Sequence, residues 1–239
     1  MTNGKPETYL ECERKRVYFL LMLTAGFYGA YTYSIRGGIF CNAQTGNFVL
    51  LAMALGSRNW MKALYLLLPI NAYMLGAVVS ELLPVSETRP DRLRWETQLI
   101  LFEMLVVVVL GCIPESAPVQ IAQVCINFIC SMQYNTFRQS QDVPMATTFC
   151  TNHIRQTGIQ LSVLIRDHGN RKARVRLWTH IGMIAVFIAG GIASTVLCTL
   201  LLGKAIFFAL IPLALLLIDF LHADLMTQKD RLKETPAGH

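Results

Sequence analysis

The chain has 239 residues, 54% of them apolar and only 15% charged, with a mean hydropathy of +0.44 and a net charge of +6. Soluble globular domains carry about 45–50% apolar and about 25% charged residues, and the apolar excess here falls in blocks long enough to cross a bilayer. These figures argue against a soluble enzyme, a disordered tail, a nucleic-acid binder and a disulfide-stapled secreted module, and they predict an all-α polytopic membrane protein.

In chain order, full-length apolar blocks are predicted at 17–35, 62–83, 98–113, 119–137, 177–202 and 205–221. The first is too long for the apolar core of a signal peptide and is read as a retained span. Two shorter segments, 45–55 and 151–165, are too short or too polar to cross comfortably. Eleven residues of helix reach only about 16 Å, so these two are expected to be re-entrant, or halves of a broken helix. The expected division is a cytoplasmic segment 1–16, a first membrane repeat 17–113, a second repeat 114–222 and a cytoplasmic tail 223–239.

The basic residues lie between the blocks, as the positive-inside bias requires. Lys5, Arg14, Lys15 and Arg16 precede the first span, and Arg89, Arg92 and Arg94 fall in 84–96. Arg166, Arg171, Lys172, Arg174 and Arg176 fall in 166–176, and Lys229, Arg231 and Lys233 in the tail. Segment 114–118 has no basic residue, and Lys204 stands alone near the last turn. Six spans with both termini cytoplasmic fit this pattern if each short segment returns to the side it entered from. Arg58 and Lys62 are the exceptions. The seven cysteines have no metal-ligand spacing and are read as reduced thiols, most of them in or beside apolar blocks.

An internal echo connects the two halves. At an offset of 106, Asn42-Ala43-Gln44-Thr45-Gly46-Asn47 lies over Thr148-Phe149-Cys150-Thr151-Asn152-His153. At an offset of 114, Tyr73–Ser80 lies over Phe187–Ser194. Three crossings per half is an odd number, so the halves are expected to be inverted. Inverted repeats with discontinuous helices are a plan of secondary transporters, with the solute site at the repeat interface.

Several residues are candidates for that site. Thr45 and Asn47 are expected to cap the first short helix, with Gly46 permitting close approach and Asn42 preceding them. Thr147 and Thr148, followed by Thr151, Asn152 and His153, repeat the arrangement in the second half. Two opposed helix N-termini would favour a polar or anionic solute. Gln133 and Asn135 add polar groups before the second helix, as Arg36 does before the first. Glu103 is the sharpest signal, because an ionisable group in an apolar span costs at least about 2.5–3.5 kcal/mol unless neutralised. Proton coupling, cation binding or an arginine pair are its expected roles, with Arg36 and His153 as further coupling or counter-charge candidates. Arg36 is alternatively an interfacial, snorkelling side chain. Gly26 with Ala30, and Gly190-Gly191, are expected to pack helices internally, a homodimer face being the alternative. No HExxH, GxSxG or phosphate-loop motif is present, and no cofactor or metal is called for.

The string from Gly37 to Leu51, with its Thr45-Gly46-Asn47 core and the Gly26-Phe27 pair before it, resembles the YoaK-like family. This is a bacterial family of small integral membrane proteins containing a domain of unknown function. The resemblance runs across about 17 to 222 and implies a six-span protein of the bacterial inner membrane, without an established substrate. Where many members have an acidic residue after the Gly-Phe pair, this chain has Gly29 and Ala30. The expected function is a secondary transporter or channel-like permease for a small polar solute, anions included. A non-transporting membrane sensor or assembly protein is the alternative, and an intramembrane enzyme the third.

Overall fold

The computed structural model describes residues 9–86, 93–141 and 143–236. Lys5, Arg89, Arg92 and Asp142 lie outside the described residues. Helices follow in chain order as α1 (Lys15–Ile35), α2 (Gln44–Gly56), α3 (Trp60–Ser86), α4 (Trp95–Cys112), α5 (Val119–Thr136), α6 (Thr151–Arg166), α7 (Arg171–Leu201) and α8 (Leu210–His222). A two-residue ladder, Gln139-Ser140 against Val143-Pro144, lies between α5 and α6. The predicted blocks and short segments are all helical, with two departures. α7 begins at Arg171, so Arg171, Lys172, Arg174 and Arg176 stand on its first turns. The last block opens with a 3-10 stretch, Leu202–Ala209, after Leu202 takes a φ of +51°.

Three stretches are long and apolar enough to cross a membrane: Trp60–Leu83, Trp95–Cys112 and Arg171–Thr227. As one straight helix the last, of 57 residues, would measure about 85 Å, but the break at Leu202 turns it back on itself. Helices α1 and α5 are not among these stretches because their inward faces are polar. Thr24, Tyr28 and Thr32 on α1, and Gln123, Asn127 and Gln133 on α5, are all buried.

Contacts along each pair give the helix directions. Phe19 meets Gly182 and Ala30 meets Gly191, so α1 and α7 run the same way. Tyr65 reaches Gln123 and Ser80 reaches Asn135, so α3 and α5 also run together. Helix α1 opposes α5, since Tyr18 meets Phe137 and Leu21 meets Gln133. Helix α4 opposes α5 through Trp95–Thr136 and Phe102–Phe128. It also opposes α8, as Thr97 bonds Asp224 and Gly111 meets Phe207 beyond the break. Thus α1, α4 and α7 point one way and α3, α5 and α8 the other. The starts of α1, α4 and α7 share one face with the ends of α3, α5 and α8.

The closest packing is backbone to backbone. A Cβ on Gly26 would lie 2.0 Å from the Phe187 carbonyl oxygen, and one on Gly190 would lie 2.0 Å from that of Leu23. The α3–α5 crossing repeats this, with Gly76 facing the Phe128 carbonyl at 2.4 Å. Small residues allow such approach, which gains dispersion and shields backbone dipoles. Gly26 and Gly190 therefore act in internal packing. The short helices pack outside these pairs, α2 on α3 and α6 on α7.

A polar network joins the chain ends on the terminal face. Asp224, buried, accepts from Arg94 N–H and Thr97 Oγ1 and pairs with the Arg94 guanidinium at 3.7 Å. Gln228 Oε1 accepts from Glu11 N–H, and Arg16 bridges Glu11 and Asp219. Burial pushes the nearby Cys12 thiol well above its ordinary range, and Glu96 adds to the effect.

Two stability outcomes are expected from thermal unfolding in detergent. Gly190→Ala forces the α1–α7 backbones apart and costs about 1–3 kcal/mol, whereas Gly191→Ala, whose nearest contact is 3.7 Å, is neutral or stabilising by up to about 1 kcal/mol. Asp224→Ala removes the acceptor of Arg94 N–H and Thr97 Oγ1 and the carboxylate beside the Arg94 guanidinium, which keeps the Glu234 and Arg231 carbonyls, and costs about 1–3 kcal/mol.

Candidate functional site

Polar residues recur at every fourth position of α5: Gln123, Asn127, Ser131 and Asn135. That step keeps them on one face, a stripe about 18 Å long. Helix α3 and the α2 tip close over it. Tyr65 Oη donates to Gln123 Oε1 at 2.7 Å, and Gln123 Nε2 donates to the Arg36 carbonyl at 2.5 Å. Gln44 Nε2 donates to Asn127 Oδ1 at 2.7 Å. Asn135 Nδ2 donates to Ser80 Oγ at 2.8 Å and Glu81 Oε1 at 2.9 Å. Ser131, opposite Gly76, has no partner for its buried hydroxyl.

After α1 the chain reverses at Gly37 and Gly38, whose φ values of +83° and +71° favour glycine. Asn42 Nδ2 then donates to the Ala25 carbonyl, midway along α1, just before α2 begins. The expected capping is corrected here. Helix α2 starts at Gln44 with Ala43 as N-cap, and no side chain caps it. Thr45 is exposed. Asn47 lies one turn inside the helix, where it accepts from Phe40 N–H and donates to the Phe40 carbonyl and Gln44 Oε1. Gly46 packs against the Phe40 ring. Asn47 clips the reversal loop to α2, and its amide has nothing left for a solute.

The second tip differs. Helix α6 starts at Thr151 with Cys150 as N-cap and again no side-chain cap, so Thr147, Thr148 and Thr151 do not cap it. Thr151 is exposed, while Thr147 and Thr148 are fully buried; the Thr147 hydroxyl is unpaired, and that of Thr148 stands beside the Tyr73 hydroxyl outside hydrogen-bonding geometry. Gln133 Nε2 donates to the Thr147 carbonyl at 3.2 Å, and its Oε1 stays unpaired. His153 shares a 3.0 Å Nδ1–Nδ1 contact with His180, and its Nε2 lies 2.8 Å from the Ala146 carbonyl. One proton is shared along that Nδ1–Nδ1 line, which ties α6 to α7. Beside this tip lies a cavity of about 390 Å³, lined by Asn135 and Asn152 with Tyr134, Arg138, Ala146 and Phe149 among others. Arg138 pairs with Glu81 at its edge.

Deeper in, Glu103 is fully buried with both carboxyl oxygens unpaired. The Tyr28 hydroxyl stands beside it outside hydrogen-bonding geometry, and Cys130 and Cys41 are near. A charge there needs a proton or a cation to neutralise it. The arginine-pair expectation fails. Arg36 is buried, not snorkelling, and serves the other face: it pairs with Glu115 at 3.4 Å and donates to Tyr31 Oη at 3.0 Å. Glu115 in turn accepts from Gly203 N–H. This knot joins the end of α1, the α4–α5 turn and the α7–α8 break.

The structure thus brings Gln133, Asn135 and Asn152 to one region and leaves Thr45, Gly46 and Asn47 in a separate, closed one. It adds Tyr28 and Ser131, and it places Arg138, one of the polar residues that precede the second short helix in the sequence, at the cavity. The four-residue polar step on α5 was the available sequence signal for Ser131, whereas Tyr28 carried none.

Residues 17–218 match the family model described as "Protein of unknown function (DUF1275)". The chain belongs to this family. No curated protein and no solved structure matches it. The likeness drawn from Thr45-Gly46-Asn47 therefore stands at the level of this family of unknown function, with no named relative to narrow it.

Removing an unpaired hydroxyl differs from removing a bonded amide. Ser131→Ala is expected to leave the unfolding midpoint unchanged or higher. Asn47→Ala strands both polar groups of Phe40 and is expected to cost about 1–3 kcal/mol. Equal losses in the two variants would show that Ser131 has a structural partner.

Proposed function

We propose that this is a six-span membrane protein of two inverted halves, each with one re-entrant helix, that carries a small polar solute, anions included, as a secondary transporter or channel-like permease. The helix pairing supports the repeat. Exchanging α1 with α5, α2 with α6, α3 with α7 and α4 with α8 turns each packed pair into another packed pair: α1–α7 into α5–α3, and α2–α3 into α6–α7. The directions support six crossings with both termini on one side, and the basic flanks make that side cytoplasmic. The bacterial inner membrane is the setting the family resemblance implies.

One observation carries the transport reading. Tyr28, Glu103, Ser131, Gln133, Thr147 and Thr148 hold buried polar atoms without partners. Buried polar groups are otherwise bonded almost without exception, and Thr147 and Thr148 stand between Ala146 and Phe149, which line the cavity; this supports a path that water or solute fills. The cavity lies at the terminal face, at the α6 tip, with Arg138 at its rim. The Arg36–Glu115 knot closes the opposite face. This is the arrangement of a carrier open to one side, with Glu103 as proton- or cation-coupling residue. The second reading, a sensor or assembly protein that moves nothing, is favoured by the α2 tip, where Asn42 is spent on α1 and Asn47 on the preceding loop.

A thermal-shift screen of small polar solutes in detergent separates the two. A hit is expected to stabilise the wild type and to lose most of its effect in Thr148→Val, a near-isosteric change that removes a buried hydroxyl whose polar neighbour is Tyr73. In proteoliposomes, Glu103→Gln is expected to abolish pH-gradient-driven accumulation while leaving solute exchange. No hit, or hits of equal size in wild type and Thr148→Val, would remove the solute path.

A further inference from the structure

A second cavity, of about 670 Å³, lies on the terminal face, and it is walled by cations. Lys15, Arg171, Lys172 and Arg176 line it, beside Val143 and Val175, and among the described residues none that lines it is acidic. Among the described residues none of these four cations has an ion pair or hydrogen bond. The acidic groups nearby are spent elsewhere: Glu11 on Arg14 and Arg16, Asp219 on Arg16, Asp224 on Arg94, and Asp167 on Gly169 N–H.

The positive-inside bias accounts for cations on this face but not for their convergence on one unpaired cleft. Separate segments supply the walls: Tyr9, the start of α1, Gln141 with Val143, and the start of α7. Lys15 and Arg171 are the first residues of two parallel helices. The positive end of each macrodipole points here, where a cation is disfavoured and an anion stabilised. Unpaired cations held at that end are a cost to the folded chain that a bound anion would relieve. On the next turns of α7, Val175 and Trp178 are exposed, which sets the cleft at an apolar–polar boundary.

We propose that this cleft binds a phosphate group, a second site distinct from the solute path. The phosphate of an anionic phospholipid headgroup and that of a small soluble phosphate present the same chemistry, and the cleft is open to either.

The test uses the full chain in nanodiscs of phosphatidylcholine. In one arm the discs also contain phosphatidylglycerol; in the other, inorganic phosphate is titrated against chloride at matched ionic strength. The unfolding midpoint of the wild type is expected to rise by about 2–4 °C in at least one arm. The rise is expected to fall by more than half in the Arg171→Gln/Lys172→Gln double variant and to persist in Lys229→Gln/Lys233→Gln. A response to phosphatidylglycerol alone assigns the lipid headgroup, and a response to phosphate assigns a soluble ligand. No rise in either arm, a rise unchanged in the first double variant, or an equal loss in the second would overturn the site.

Discussion

A polar group carried into the interior of this bundle must find its partner there, and that requirement orders the rest of the structure. The helices satisfy their own backbones, but each loop that turns inward brings amides and side chains that water cannot reach. Asn42 and Asn47 exist in this sense for the loop between α1 and α2: one holds the Ala25 carbonyl and the other both polar groups of Phe40. Gln44, Asn127, Gln123 and Tyr65 extend the chain of donors and acceptors along α5. Where this accounting closes, the molecule is sealed. Where it fails at Thr147, the neighbouring Ala146 lines a cavity, while Ser131 and Glu103 are left unpaired away from that lining.

The same requirement explains how the two halves hold each other. Helix α3 belongs to the first half and packs on α5 of the second, while α7 of the second packs on α1 of the first. Each crossing brings a glycine against a carbonyl of its partner, at Gly26, Gly190 and Gly76. Neither half keeps its central helix to itself. The polar faces of α1 and α5 are buried only because helices from the opposite half cover them, so the halves are expected to fold as a unit.

The two ends of the molecule use charge differently. On the far face Arg36, Glu115 and Gly203 form a closed set. On the terminal face some cations are bonded into the network of the chain ends, while others are left to line open clefts.

Periodicity and composition were enough to place the helices, their order and the two short segments, because apolar block length and turn residues are local properties. They were enough, too, to mark Glu103, whose charge is anomalous whatever surrounds it, and to find Gly26 and Gly190 as close-approach points. They could not decide what Asn47 or Arg36 does. An amide after a turn reads the same whether it faces a solute or clips its own loop, and an arginine after a span reads as interfacial until Glu115 is found beside it. Only the tertiary structure could show that the two tips differ, one bonded shut and one open. Hydrogen-bond satisfaction depends on partners that lie scores of residues away, such as Asn127 for Gln44 and His180 for His153, and no local pattern encodes them.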